Sequence, residues 1–258
     1  MTLAGGLASA LFWPLGAFFV DDDELREALL VYGLLGLFSA LLLWRMPNAR
    51  RPAAIPPKAH RPTSHQQRRV GLLYAALIAL VTFVSNGTST HLPEFIAHYG
   101  LPVAAGMLWG IGQTGARFLE VASGSVLTPL RLTLLTTLLM PVCFALGLSG
   151  PYLIWAAGGF VLGYGAINGL TTVFKATLPL QLFAAEDYAS RTGILLIPAQ
   201  LLAAASPFVY AWLNQQFGVQ GSLGVSAALT LVVAGLALAI ARSQSDQPPE
   251  AMPAAIDS

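Results

Sequence analysis

Charged residues are sparse and unevenly spaced along the chain, and the stretches between them have the lengths of membrane-crossing helices. Met1–Val20 and Ala28–Trp44 carry no charge, while Val70–Pro93 and Phe95–Ala116 carry only His91 and His98 as titratable groups. Leu132–Phe174 runs for 43 residues without a charge, and Thr192–Ala241 for 50. A helix needs about 20 apolar residues to cross ~30 Å of hydrocarbon, so each of these last two runs is long enough for two crossings. Each also has a breaker at its midpoint, Ser149-Gly150-Pro151 and Asn214-Gln215-Gln216-Phe217-Gly218. Backbone polar groups cannot stay unpaired in lipid, so the runs are helices rather than strands. The pattern predicts eight helices, near 3–20, 28–44, 70–91, 102–124, 129–148, 152–176, 192–213 and 220–241. The expected fold class is an all-α polytopic membrane bundle.

Composition sharpens this picture by exclusion. Of 258 residues, 55% are hydrophobic and 10% charged, with a mean hydropathy of +0.67. Soluble domains carry roughly 25% charged residues, so this chain cannot cover a water-facing surface. A soluble enzyme, a nucleic-acid binder and a disordered protein are excluded as first readings, and the net charge of +1 implies no polyanionic partner. The single cysteine, Cys143, rules out an internal disulfide. Met1–Val20 lacks the basic start and small-residue cleavage site of a signal peptide, so it reads as a spanning helix.

Orientation follows from the loops. Arg45–Arg69 holds seven basic residues and no acid, which places it in the cytoplasm by the positive-inside rule. The acidic turn Asp21–Glu24 then falls outside, and both termini are expected in the cytoplasm. The resulting domains are a pair of helices at 1–45, a basic linker at 46–69, a six-helix bundle at 70–242 and a disordered tail at 243–258. The hairpins Pro14–Arg45 and Pro207–Arg242 resemble each other loosely, as internal repeats of membrane carriers do.

Polar residues inside the apolar runs are the candidates for chemistry. Gln113, Arg117 and Glu120 lie at i, i+4 and i+7, on one helix face. Arg117 and Glu120 either pair with each other or meet partners on neighbouring helices, fastening helix ends or forming a cytoplasmic charge gate. Asn168, Thr172 and Lys175 share another face, with Asn168 deep and Lys175 expected as an anchor near the cytoplasmic surface. The same helix has Gly159-xxx-Gly163 and Gly165-xxx-Gly169, spacings that let helices approach closely. Asn86 lies in the polar run Ser85–Thr90, where His91 and Glu94 are a candidate proton relay at the outer mouth. Pro198 and Gln200 predict a kink with a polar side chain beside it. Catalytic signatures such as HExxH, GxSxG and the P-loop are absent, so no enzyme activity, cofactor or metal site is expected.

Gly110–Glu120, Thr128-Pro129-Leu130-Arg131, Asn168-Gly169-Leu170, Thr177-Leu178-Pro179-Leu180, Arg191-Thr192-Gly193 and Ser206-Pro207 together resemble the C-terminal half of a bacterial major facilitator superfamily transporter. In that likeness 91–241 is the second bundle, Gly110–Glu120 looks like the family's eighth helix, which ends in Gly-Gln-x-x-Gly-Arg, the basic linker is its central loop, and 1–45 are its helices five and six. The resemblance implies a secondary transporter of a small solute in the bacterial inner membrane, working by alternating access and drawing on an ion gradient, for instance of protons. It implies a pathway lined by Asn86, Gln113, Asn168 and Gln200, with Arg117 and Glu120 at the cytoplasmic gate. The family has four more helices in front, so the chain is expected to be a truncated form. The reading that competes with this is a membrane scaffold or assembly subunit whose Gly-rich faces bind a partner.

Overall fold

A computed structural model describes residues 25–45, 65–123, 127–183 and 188–245. The expected helix at 3–20, the Asp21–Glu24 turn, most of the linker and the end of the tail lie outside these residues. Within them the chain is built of helices: α1 (Leu25–Trp44), α2 (His65–Thr90), α3 (Leu92–His98), α4 (Met107–Ala122), α5 (Pro129–Ser149), α6 (Ile154–Leu182), α7 (Tyr188–Leu195) and α8 (Ile197–Ser245). A 3₁₀ turn, Val103–Gly106, leads into α4. Two expected boundaries move. The final residues of the linker, Gln66-Gln67-Arg68-Arg69, are good helix formers free of Pro and Gly, and they join α2. Helix α8 likewise continues to Ser245, past the predicted helix end at 241 and into the expected tail.

Three segments among the described residues are long and apolar enough to cross a membrane on their own: Gln67–Thr90, Pro129–Ser149 and Arg191–Gln244. The last is 54 residues, which would reach about 81 Å if straight. It instead turns back at Gly218, whose φ of 67° and ψ of 178° are accessible essentially to glycine alone. The Tyr210 hydroxyl lies 2.7 Å from Ser226 Oγ, which sixteen residues of continuous helix would hold ~24 Å away. Helix α8 is therefore a hairpin, with arms at 197–217 and 219–245. Its entry is also broken: α7 stops at Leu195, and Pro198, with no N–H to give, stands in the first turn of the next helix.

The bundle is held by four pairings: α2 with α8, α4 with α6, and α5 with both α6 and α8. On the outer side of α5 and α6, Phe144, Phe160, Tyr164 and Tyr99 form a run of ring contacts 5.7–6.2 Å apart. The Tyr164 hydroxyl donates to the Ser85 carbonyl at 2.7 Å and thereby ties α6 to α2. Helix α1 differs from the rest: its leucines and Phe38 are 42–65% exposed, as suits a helix surrounded by lipid or other helices.

The two small-residue motifs of α6 face different neighbours. Gly165 and Gly169 lie against the backbone of α4, at the Trp109 and Gln113 carbonyls, and Gly112 of α4 lies against the Leu162 carbonyl. Gly159 and Gly163 instead look towards Leu146 and Cys143 of α5, with room to spare at Gly159. Gly165→Ala drives a methyl into the Trp109 carbonyl and is expected to destabilise the protein by roughly 1–3 kcal/mol. Gly159→Ala, whose methyl meets Leu146 at 3.8 Å, is expected to be neutral or to gain up to ~1 kcal/mol of helix propensity. Thermal unfolding in detergent checks the contrast, and equal midpoints for the two variants would refute the close approach of α4 and α6.

Candidate functional site

Helix α6 is the longest uninterrupted helix described, and its midpoint is Asn168. Thr172 and Lys175 follow at i+4 and i+7, so the three share a face. Asn168 is half-buried, and its amide has no hydrogen-bond partner among the described residues. Thr172 Oγ1 accepts from Arg117 Nη2 at 2.7 Å, and Arg117 Nε reaches the Gly169 carbonyl at 3.4 Å. This contact is possible because Gly112, Gly165 and Gly169 bring α4 and α6 together, leaving Arg117 only 5% exposed. Lys175 Nζ donates to Thr82 Oγ1 of α2 at 2.7 Å. Thr82 and Asn86 lie at i, i+4 on α2, so the polar strip of α6 meets a second polar strip on α2.

The sequence candidates divide between this strip and other places. Asn86 and Gln200 are exposed on α2 and α8, and neither side chain hydrogen-bonds within the described residues. Gln113 is 5% exposed, buried in the contact between α4 and α6 one turn from Arg117. Arg117 takes the second of its two expected options, a partner on a neighbouring helix, while Glu120 stays half-exposed. Lys175 departs from its expected place as an interfacial anchor. Its stem runs back into the bundle, because helical side chains lean towards the N-terminus of their helix and Thr82 offers an oxygen there. Thr82 itself escaped notice in the sequence, although it is the lone Ser or Thr between Val70 and Val84 and stands four residues before Asn86.

His91 and Glu94 do come together. His91 Nδ1 and Glu94 Oε1 are 3.1 Å apart, and His91 Nε2 lies 3.1 Å from the Pro207 carbonyl on α8. A carbonyl only accepts, so the hydrogen bond to Pro207 is donated by Nε2. Asn214 Nδ2 donates to the other oxygen of Glu94 at 2.7 Å, and Ser222 donates in turn to the Asn214 side-chain oxygen. The imidazole stacks on Tyr210, which itself fits because Gly87 presents no side chain to its ring. Pro207 has no N–H to offer the Ala203 carbonyl, and the Ser206 hydroxyl takes that place at 3.0 Å. Beside this cluster the Tyr99 hydroxyl donates to the Gly147 carbonyl at 2.8 Å, and burial pushes its phenol above the ordinary value. An open cavity of about 430 Å³ lies elsewhere, at Arg68, Arg69, Leu72 and Leu73 near the start of α2, and does not touch either polar group.

The family model of the Major Facilitator Superfamily matches residues 1–178, about two-thirds of the chain. No individual curated protein matches it. The match takes in α1 to α5 and α6 as far as Leu178, hence all of the strip formed by α2, α4 and α6.

His91→Ala removes a buried ring that joins the end of α2 to α8, and it is expected to cost roughly 1–3 kcal/mol. Asn214→Ala leaves Glu94 to the water that already reaches it and should cost less than ~1 kcal/mol. Thermal midpoints of the two variants decide this, and a smaller loss for His91→Ala than for Asn214→Ala would refute the arrangement.

Proposed function

Because the chain belongs to the Major Facilitator Superfamily, we propose that it moves a small solute by alternating access, with the polar strip of α2, α4 and α6 facing the solute. Asn86, Gln113, Asn168 and Gln200 line the pathway, and Arg117 and Glu120 form the cytoplasmic gate. His91 and Glu94, 3.1 Å apart, form a relay at the outer mouth for a coupling ion. The protein sits in the bacterial inner membrane with both termini in the cytoplasm. Residues 1–45 belong to one bundle, 46–69 form a cytoplasmic linker, 70–242 form the second bundle, and 243–258 form a tail. The solute binds between the bundles, which rock about it.

One observation carries this reading. Asn168 stands at the midpoint of α6 with an amide that has no partner among the described residues, and the Asn86 amide on α2, one turn from Thr82, likewise has none. A polar group facing lipid costs several kcal/mol, so these amides are accounted for by a face that meets water and solute. The scaffold reading lacks such support. Of the glycines it would offer to a partner, Gly165 and Gly169 lie against the backbone of α4, and Gly163 lies against Cys143 of α5.

Purified full-length chain in proteoliposomes, assayed by counterflow against a panel of labelled small solutes, tests the proposal. Asn168→Ala and Gln113→Ala should each lower uptake about fivefold to tenfold, the loss of one hydrogen bond to solute. Unchanged uptake at normal protein levels would remove both residues from the pathway. No counterflow with any solute would refute transport by this chain.

A further inference from the structure

Lys175 is a cation without an anion. Its ammonium has three N–H groups, of which one goes to Thr82 Oγ1, and no other partner exists for it among the described residues. The site is deep. Thr82 stands two residues from the centre of the charge-free stretch Val70–Thr90, so an ammonium 2.7 Å from it lies near mid-membrane. The nearest comparable cation, Arg117, is already engaged by the Gly169 carbonyl and Thr172.

The surrounding helices offer no compensation. Helices α2, α5, α6 and α8 contain no Asp or Glu, and α4 contains only Glu120. Lys175 therefore brings one ammonium to the strip with no carboxylate beside it on these helices. An isolated ammonium in a low-dielectric interior is strongly disfavoured unless a counter-charge meets it, and intramembrane cations accordingly mark ligand paths. On the same helix faces, the unpaired amides of Asn86 and Asn168 offer neutral hydrogen-bonding groups for the remainder of a ligand.

We propose that Lys175 is the anion-recognition residue of this protein, and that the solute is a small monocarboxylate whose single charge it neutralises. The inference rests on the transport reading for its biological meaning and on the Lys175–Thr82 geometry for its chemistry. A single ammonium with two N–H groups left over matches one carboxylate. Thr82 holds the ammonium in place from α2, leaving two N–H groups for the carboxylate, so Lys175 and Thr82 bridge α2 and α6 at the ligand.

Binding by the purified full-length chain in detergent tests this without a transport assay. Sodium propionate is the probe, propionamide in sodium chloride at equal ionic strength is its neutral isostere, and sodium chloride alone is the salt control. Propionate at several times its dissociation constant should raise the thermal midpoint by roughly 2–4 °C, and the two controls should leave it in place. Lys175→Met should abolish the propionate shift and Lys175→Arg should keep it. Lys175→Gln, which keeps a donor for Thr82 but no charge, gives the same answer as Met if the latter fails to fold. The proposal is overturned if wild type shows no propionate shift, if propionamide or chloride reproduces it, or if an uncharged variant retains it. A propionate shift that depends on Lys175 in a chain showing no counterflow would refute transport alone. Counterflow of a neutral solute or a cation without a propionate shift would refute the monocarboxylate alone.

Discussion

Where α4 crosses α6 the two backbones touch, and the polar chemistry of the bundle depends on that contact. Apolar side chains gain little by leaving lipid for another helix, so helices in a membrane are held by close packing and by hydrogen bonds that become available once they are close. Gly112, Gly165 and Gly169 allow the approach. The approach in turn lets Arg117 reach the Gly169 carbonyl and Thr172 across the interface. With Thr172 committed to Arg117, Lys175 turns towards α2 and finds Thr82. A methyl group at one of these glycines would therefore displace a charge network as well as a pair of helices.

The end of the bundle beside α3 is closed by different means. There the strongest links are aromatic and polar: Tyr164 to α2, Tyr99 to α5, and His91 to the carbonyl of a proline in α8. Pro207 frees one carbonyl that Ser206 takes up and presents its own to His91, so a residue that weakens a helix also supplies the seam with α2. The short helix α3 exists to turn the chain over this end, burying Leu92, Phe95 and Ile96 beneath it.

The helices were legible in the sequence because membranes impose length, and length can be counted between charges. The break in the last long run at Asn214–Gly218 was legible for the same reason, since no bilayer accommodates 50 apolar residues in one pass. What could not be read was lateral neighbourhood. Nothing in the spacing of Asn168, Thr172 and Lys175 says which helix faces them, and Lys175 reads as an anchor when its position is judged along the chain alone. Its ammonium lies a side-chain length away from its Cα, towards the bundle centre, and only the position of Thr82 reveals this. The surroundings of Gln113 were hidden in the same way: its helical phase matches Arg117, and the glycines of α6 bring a neighbouring backbone over that phase. His91 and Glu94 needed no lateral information, being three residues apart, and their pairing was visible from the start.

Gly218 carries a consequence for how the chain enters the membrane. The segment it divides has basic residues only at its two ends, Arg191 and Arg242, and no charged loop between them to direct insertion. Those ends finish on the same side because the segment crosses twice, and the reversal between the crossings is made at one backbone conformation that other residues rarely adopt. Across that reversal Tyr210 and Ser226 join the two arms. A bulkier residue at 218 would thus be felt earliest during biosynthesis, as molecules with an inverted C-terminus, before any loss of stability in correctly inserted protein.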